Sequence, residues 1–170
     1  VAPSGPCSMF DVGRSMFDVR TRHCHPGGMA LPFGVGRDTS ARWRPLNLGA
    51  RPDQPAIIDL MAALGARDQC VGYLRTRIHS EREQKARLEL GSDDGVKAWL
   101  NGAVAHANNI DRGLVPGQDK VLVTLKEGWN VLLLKVTQGG GGWAACARLR
   151  DPDGNALQHI EIDAAAAAGQ

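Results

Sequence analysis

The stretch Val96-Lys97-Ala98-Trp99-Leu100-Asn101-Gly102-Ala103-Val104-Ala105-His106 decides the fold class. Val96, Ala98 and Leu100 alternate with Lys97 and Trp99, and a period of two sends one set into a core and the other outward. Asn101-Gly102 then breaks the run. An Asn-Gly pair between alternating segments is a strong hairpin signal, because both residues of the tight turn need positive φ. Residues 103–106 read as the returning strand. The same rhythm continues on both sides. Upstream, residues 71–78 and 86–90 alternate. Downstream, residues 121–125, 129–136, 143–150 and 157–162 read as strands, separated by Lys126-Glu127-Gly128, by Gly139 to Gly142 and by Asp151-Pro152-Asp153-Gly154. The apolar centre of 129–136 is unbroken, which predicts a central strand covered on both faces. The connections are too short for helical crossovers, so the pairing should be antiparallel. The expected fold class is all-β, an antiparallel jelly-roll β-sandwich with one short helix. That helix is placed at 56–65, where apolar residues fall at helical spacing and Gly65 terminates them.

Bulk composition fits one such domain. A chain of 170 residues can bury a substantial core, and 43% hydrophobic with 22% charged residues excludes disorder of the whole chain. Twenty-one glycines supply the turns that an all-β chain needs. The formal net charge of +2 is too small to argue for nucleic acid, so none is expected as a partner. No apolar run reaches the ~18–20 residues of a membrane span. No leader is visible ahead of Val1, which leaves export open. Residues 1–50 stand apart, being rich in Gly, Pro and Arg and only weakly periodic. They contain a short echo, Ser8-Met9-Phe10-Asp11-Val12 and Ser15-Met16-Phe17-Asp18-Val19, that suits two short strands or turns. The expected organisation is an irregular segment at 1–50, either part of the sandwich or an arm, a β-sandwich module at 51–163, and a flexible tail at 164–170. Four cysteines allow three pairings. Cys70 and Cys146 sit in strand-like apolar surroundings and read as buried small hydrophobes. Cys7 and Cys24, in loop-like sequence, could close a bridge in an exported protein.

Three blocks carry a resemblance to a known family. Leu90-Gly91-Ser92-Asp93-Asp94-Gly95-Val96-Lys97-Ala98-Trp99-Leu100-Asn101-Gly102 resembles a block of bacterial galactose-binding-like and PA14-like jelly rolls. Leu125-Lys126-Glu127-Gly128-Trp129-Asn130-Val131-Leu132-Leu133-Leu134-Lys135-Val136 resembles a strand of the same modules, and Gly142-Trp143 through Arg148-Leu149-Arg150-Asp151 resembles their closing strand. The blocks stand in the family's order over about residues 70–155. The resemblance implies an accessory module of secreted or cell-surface bacterial proteins that act on or bind glycans. It also implies that Asp93 and Asp94 hold a Ca²⁺ ion which in turn holds sugar hydroxyls.

The residues themselves allow that chemistry and a plainer one. Two carboxylates in a tight turn suit a hard cation that takes six to eight oxygens, and Asn101 and the loop Asn108-Asn109-Ile110-Asp111 could add oxygens. Aspartates in turns also cap backbone N–H groups. Trp43, Trp99, Trp129 and Trp143 supply most of the aromatic surface, and sugar rings stack on such faces. Trp99 is out of phase with the core-facing Val96, Ala98 and Leu100, and Trp143 follows the glycine loop, whereas Trp129 reads as core. The expected ligand-contacting set is therefore Trp99, Trp143, Asn101, Asn108, Asn109 and Arg112. The His23-Cys24-His25 cluster lacks the spacing of a zinc site. There is no GxSxG, HExxH, P-loop or Rossmann glycine pattern, and adjacent carboxylates cannot flank a glycosidic bond. No enzyme is expected. The expected function is a non-catalytic, lectin-like carbohydrate-binding module, with a polysaccharide or glycan as partner and calcium as support. The alternative is a structural or adhesion module that self-associates or assembles with other proteins.

Overall fold

The computed structural model describes residues 16–23, 45–47, 57–65 and 68–163. Alternating sequence becomes alternating burial. In β4 (Cys70–Ser80) the side chains of Leu74, Thr76, Ile78 and Ser80 point inward, while Tyr73, Arg75, Arg77 and His79 lie half-buried on the outer side. The same parity runs through β6 (Val96–Leu100), β8 (Asp119–Leu125) and β9 (Gly128–Gln138), whereas residues 88–92 of β5 (Gln84–Asp93) and Ala145-Cys146 of β10 (Ala144–Arg150) are buried in succession. The remaining strands are β1 (Met16–His23), β2 (Pro45–Asn47), β3 (Ile58–Asp59), β7 (Ala103–Asn108) and β11 (Ile160–Asp163).

Among the described residues, every strand pairing is antiparallel. One sheet runs β2-β1-β4-β9-β6-β7, and β11 also pairs with β4. β1 occupies the first half of that edge of β4 and β11 the second, with Asp18 opposite Arg75 and Asp163 opposite Arg77. The other sheet runs β3-β10-β5-β8. Their facing surfaces form one core from Leu74, Ile78, Leu88, Leu90, Leu132, Leu134 and their neighbours. Full burial of each such side chain contributes roughly 1.5–3 kcal/mol. The fold is thus an all-β sandwich with almost no helix.

Asn101 and Gly102 close the β6–β7 hairpin with φ of 52° and 83°, the positive values that a two-residue turn of this hand needs. The helix expected at 56–65 is shorter than its periodicity suggests. It spans α1 (Leu60–Leu64), because Ile58 and Asp59 pair with Ala145 and Ala144 of β10. Asp59 then caps the helix by accepting a hydrogen bond from the Ala62 N–H at 2.9 Å, and Gly65 ends it. Of the echo in the first fifty residues, Met16 to Val19 lie in β1, while residues 8–12 lie outside the described residues, as do Cys7, Cys24, His25 and Trp43. Cys70 and Cys146 are buried.

β9 departs from expectation. Its inward positions, Asn130 to Gln138, are buried, but its outward ones are not covered by the described residues: Trp129 is 45% exposed and Val131 39%. Trp129 is therefore not core. Asn130 takes the inward position next to it, where its side chain accepts from the Lys126 N–H and donates to the Lys126 and Gly128 carbonyls. Parity then forces Trp129 outward.

Candidate functional site

Three chain reversals meet at one end of the sandwich. They are the turn Asp93-Asp94-Gly95 between β5 and β6, the connection 109–118 between β7 and β8, and the glycine loop 139–142 between β9 and β10. Asp94, 6% exposed, ties them together. Its Oδ2 accepts from the Gly139 N–H at 2.7 Å and its Oδ1 from the Arg112 N–H at 3.2 Å, while its own N–H donates to the Thr137 carbonyl. The Gly95 N–H donates to Thr137 Oγ1 at 3.0 Å. A single carboxylate thus satisfies backbone donors of two loops, the capping role that aspartate performs in turns. The Asp93–Asp94 peptide bond is cis.

Among the described residues Asp93 makes no comparable set of bonds. Burial raises its pKa above the ordinary value of 3.8, and the negative charges of Asp94 and Asp111 raise it further. Its carboxylate lies against the glycine loop, where a Cβ on Gly142 would stand 2.6 Å from Asp93 Oδ2. Asp68 flanks the same loop at Gly140. This end of the molecule is consequently acidic. Between the loops lies an open cavity of about 380 Å³, whose lining includes Asp94, Asn109, Asp111, Thr137, Gln138 and Gly139. The Oε1 of Gln138 is buried and accepts no hydrogen bond among the described residues.

Arg112 and Asn108 reach this end but are committed to Asp119. Arg112 pairs with both carboxylate oxygens and also donates to Ser92 Oγ at 2.8 Å. Asn108 donates to Asp119 Oδ1 at 3.2 Å. The Arg112 hydrogen bonds, against a smaller opposing effect of burial, hold the Asp119 carboxyl below its ordinary range. These residues brace the loop from behind.

The expected site residues therefore separate. Asp93, Asp94 and Asn109 come together at the loop end, joined by Asp111, with Asn108 and Arg112 as supports. Asn101 does not belong with them. It lies at the other end of β6, donating to Asn130 Oδ1 at 2.8 Å and accepting from the Val131 N–H at 2.9 Å. Trp143 is no stacking surface: it is 1% exposed in the core, packed so tightly over Gly72 that a Cβ there would meet its ring at 2.8 Å. The chain re-enters the core directly after the glycine loop, so flexibility beside Trp143 does not expose it. Trp99 lies half-buried on the outer face of its sheet, with Lys97 Nζ 5.0 Å above its ring. Reading the sequence missed Asp68, Gln138 and Thr137, which enter the site only because β4 and β9 are paired, Val71 opposite Thr137.

No family model and no curated protein matches the chain. Among solved structures it is similar to the PA14 domain of an antifreeze protein, at 15% identity and a TM-score of 0.43, over 55% of this chain and 52% of that one. It is similar to a PA14 sugar-binding domain of an RTX adhesin, at 19% identity and 0.39, over 55% and 50%. It is also similar to an α-xylosidase of Xanthomonas citri, at 10% identity and 0.46, over 88% of this chain and 16% of that one. The chain spans about half or less of the length of each of these proteins.

Proposed function

We propose that this chain is a non-catalytic glycan-binding module whose acidic loop end takes a calcium ion and, through it, sugar hydroxyls. The observation that carries this reading is the crowding at Asp93. Its carboxylate lies against the glycine loop whose Gly139, with Asp94 and Asp111, lines the cavity, and burial first, then the negative charges of those two aspartates, hold its proton more tightly. A bound dication relieves such repulsion. The donors on offer are carboxylate and amide oxygens, which fit a hard cation rather than zinc or copper.

Among the described residues, no three acidic, histidine or cysteine side chains already form a metal cage. Asp93 and Asp111 would supply the charge, with Asp94 contributing what its two backbone hydrogen bonds leave free. Gln138, whose Oε1 is a buried acceptor, lines the cavity. Water and the sugar would complete the shell. Calcium supplies a charged anchor for vicinal hydroxyls, and the chain's own part is to hold the loops around it. Asp93 and Asp94, neighbours in one turn, cannot flank a glycosidic bond as acid and nucleophile, and this supports binding without turnover.

The test is thermal melting of the chain in chelator and in calcium, with and without a panel of neutral polysaccharides. The expected result is a calcium-dependent rise that one polysaccharide extends. Asp93→Asn should abolish the calcium response while the protein stays folded. A rise of undiminished size in that variant would sink the proposed site.

A further inference from the structure

The three central strands of the larger sheet, β4, β9 and β6, contain four cations and no aspartate or glutamate. The flanking strands set Asp18 opposite Arg75 and Asp163 opposite Arg77, whereas Lys97 and Lys135 have no acid opposite them. All four, Arg75, Arg77, Lys97 and Lys135, occupy outward positions. Register places Lys97 directly opposite Lys135 on neighbouring strands. Like charges opposed across a sheet are destabilising, so this pairing works against the fold unless something anionic neutralises it. The same face carries the apolar surface that the core does not use. Trp99 stands opposite Leu133, and Trp129, 45% exposed, lies four residues further along β9, about 13 Å away along the strand. Arg77 sits 4.3 Å above the Trp129 ring, and Lys97 sits 5.0 Å above that of Trp99.

We propose that this outer face is a second binding surface, specific for an anionic polysaccharide of the polyuronate class. Carboxylates of the polymer would meet Lys97 and Lys135 at the centre of the sheet, and the apolar faces of its sugar rings would lie along Leu133, Val131 and the tryptophan edges. An extended polymer can follow the direction of the strands. A single-stranded nucleic acid is the less favoured occupant, since bases need open aromatic faces to stack upon, and cations lie over both indoles. The charge also separates this surface from the loop end, where Asp68, Asp93, Asp94 and Asp111 would repel a polyanion. The inference takes its ligand class from the glycan-binding reading but needs neither calcium nor the loop cavity.

The experiment titrates the full chain, in chelator at low salt, with polygalacturonate, with the same polymer fully methyl-esterified, and with oligothymidylate of matched charge. Polygalacturonate should bind and the neutral ester should not. The double variant Lys97→Gln with Lys135→Gln should weaken binding at least about fivefold, the equivalent of roughly 1 kcal/mol from two surface cations. The control Lys85→Gln with Lys120→Gln removes the same charge from the other sheet and should change little. Equal losses in the two double variants would reduce the effect to net charge and overturn the inference. So would equal binding of acid and ester, or tighter binding of oligothymidylate. Neutral-glycan binding in calcium without any polygalacturonate binding would overturn this surface alone. Absence of both would overturn the glycan-binding reading as well.

Discussion

Two neighbouring aspartates with the same side chain do different work. Asp94 is satisfied by backbone donors, whereas Asp93 is buried beside the negative charges of Asp94 and Asp111. The raised pKa has a defined sign. The folded state holds this proton more tightly than the unfolded chain, so the group favours folding at low pH and that contribution is lost as pH rises through the folded value. In chelator, Asp93→Asn should therefore melt higher than the parent at neutral pH, and the gap should close as pH falls toward the ordinary value of 3.8. A variant that melts lower at neutral pH would contradict the cost of holding a charged carboxylate buried beside Asp94 and Asp111. Glu89 has the opposite sign. It is 2% exposed, and burial alone would raise its pKa, but hydrogen bonds and charge from Arg148 and then Arg87 outweigh burial and hold it below 4.5. Its contribution is present above the unfolded value and lost as pH falls through the folded one. Glu89→Gln should cost about 1–3 kcal/mol at pH 7, discounted because both arginines are partly exposed. Urea unfolding at pH 7 and at pH 3 should show the difference shrinking in acid.

Among the elements, the hairpins were the most legible. Asn101-Gly102 names its own turn, since few other residue pairs accept two positive φ values, and residues 71–78 and 86–90 announce strands by parity alone. β9 was harder, because an unbroken apolar run does not say which half faces in. What decides is Asn130, whose amide closes the turn between β8 and β9 and so must lie inward. Asn130→Ala should leave the Lys126 N–H and carbonyl, and the Asn101 amide, without a partner, at a cost of about 2–4 kcal/mol. Hydrogen exchange should show the 126–130 turn opening first, and uniform protection across β9 would refute its role as a lock. β3 was missed because two residues carry no readable period. They become a strand only by lying against β10.

On the scale of the molecule, charge is sorted by position. The loop end gathers aspartates, and the outer face of β4, β9 and β6 gathers Arg75, Arg77, Lys97 and Lys135, while the net charge of +2 conceals both. Added salt should screen the repulsion inside each group. In chelator, sodium chloride is expected to raise the melting temperature while it weakens polygalacturonate binding. A falling melting temperature would mean that attractive pairs such as Arg112–Asp119 dominate the surface instead. The sequence alone determined that this chain is built of antiparallel strands, where its tight turns fall, and that Asp93-Asp94 lies in a turn, because period, turn residues and local charge are properties of neighbours in the chain. It also carried enough likeness in three blocks to suggest a glycan-binding module. Only the tertiary structure decided that Trp143 is core and Trp129 is surface, that Asn101 stands apart from the aspartates, and that Asp111, Thr137 and Gln138 join them. Those facts depend on which strands pair and in what register. Register is fixed by packing two sheets face to face, an energy spread over residues far apart in the chain and absent from any local window of it.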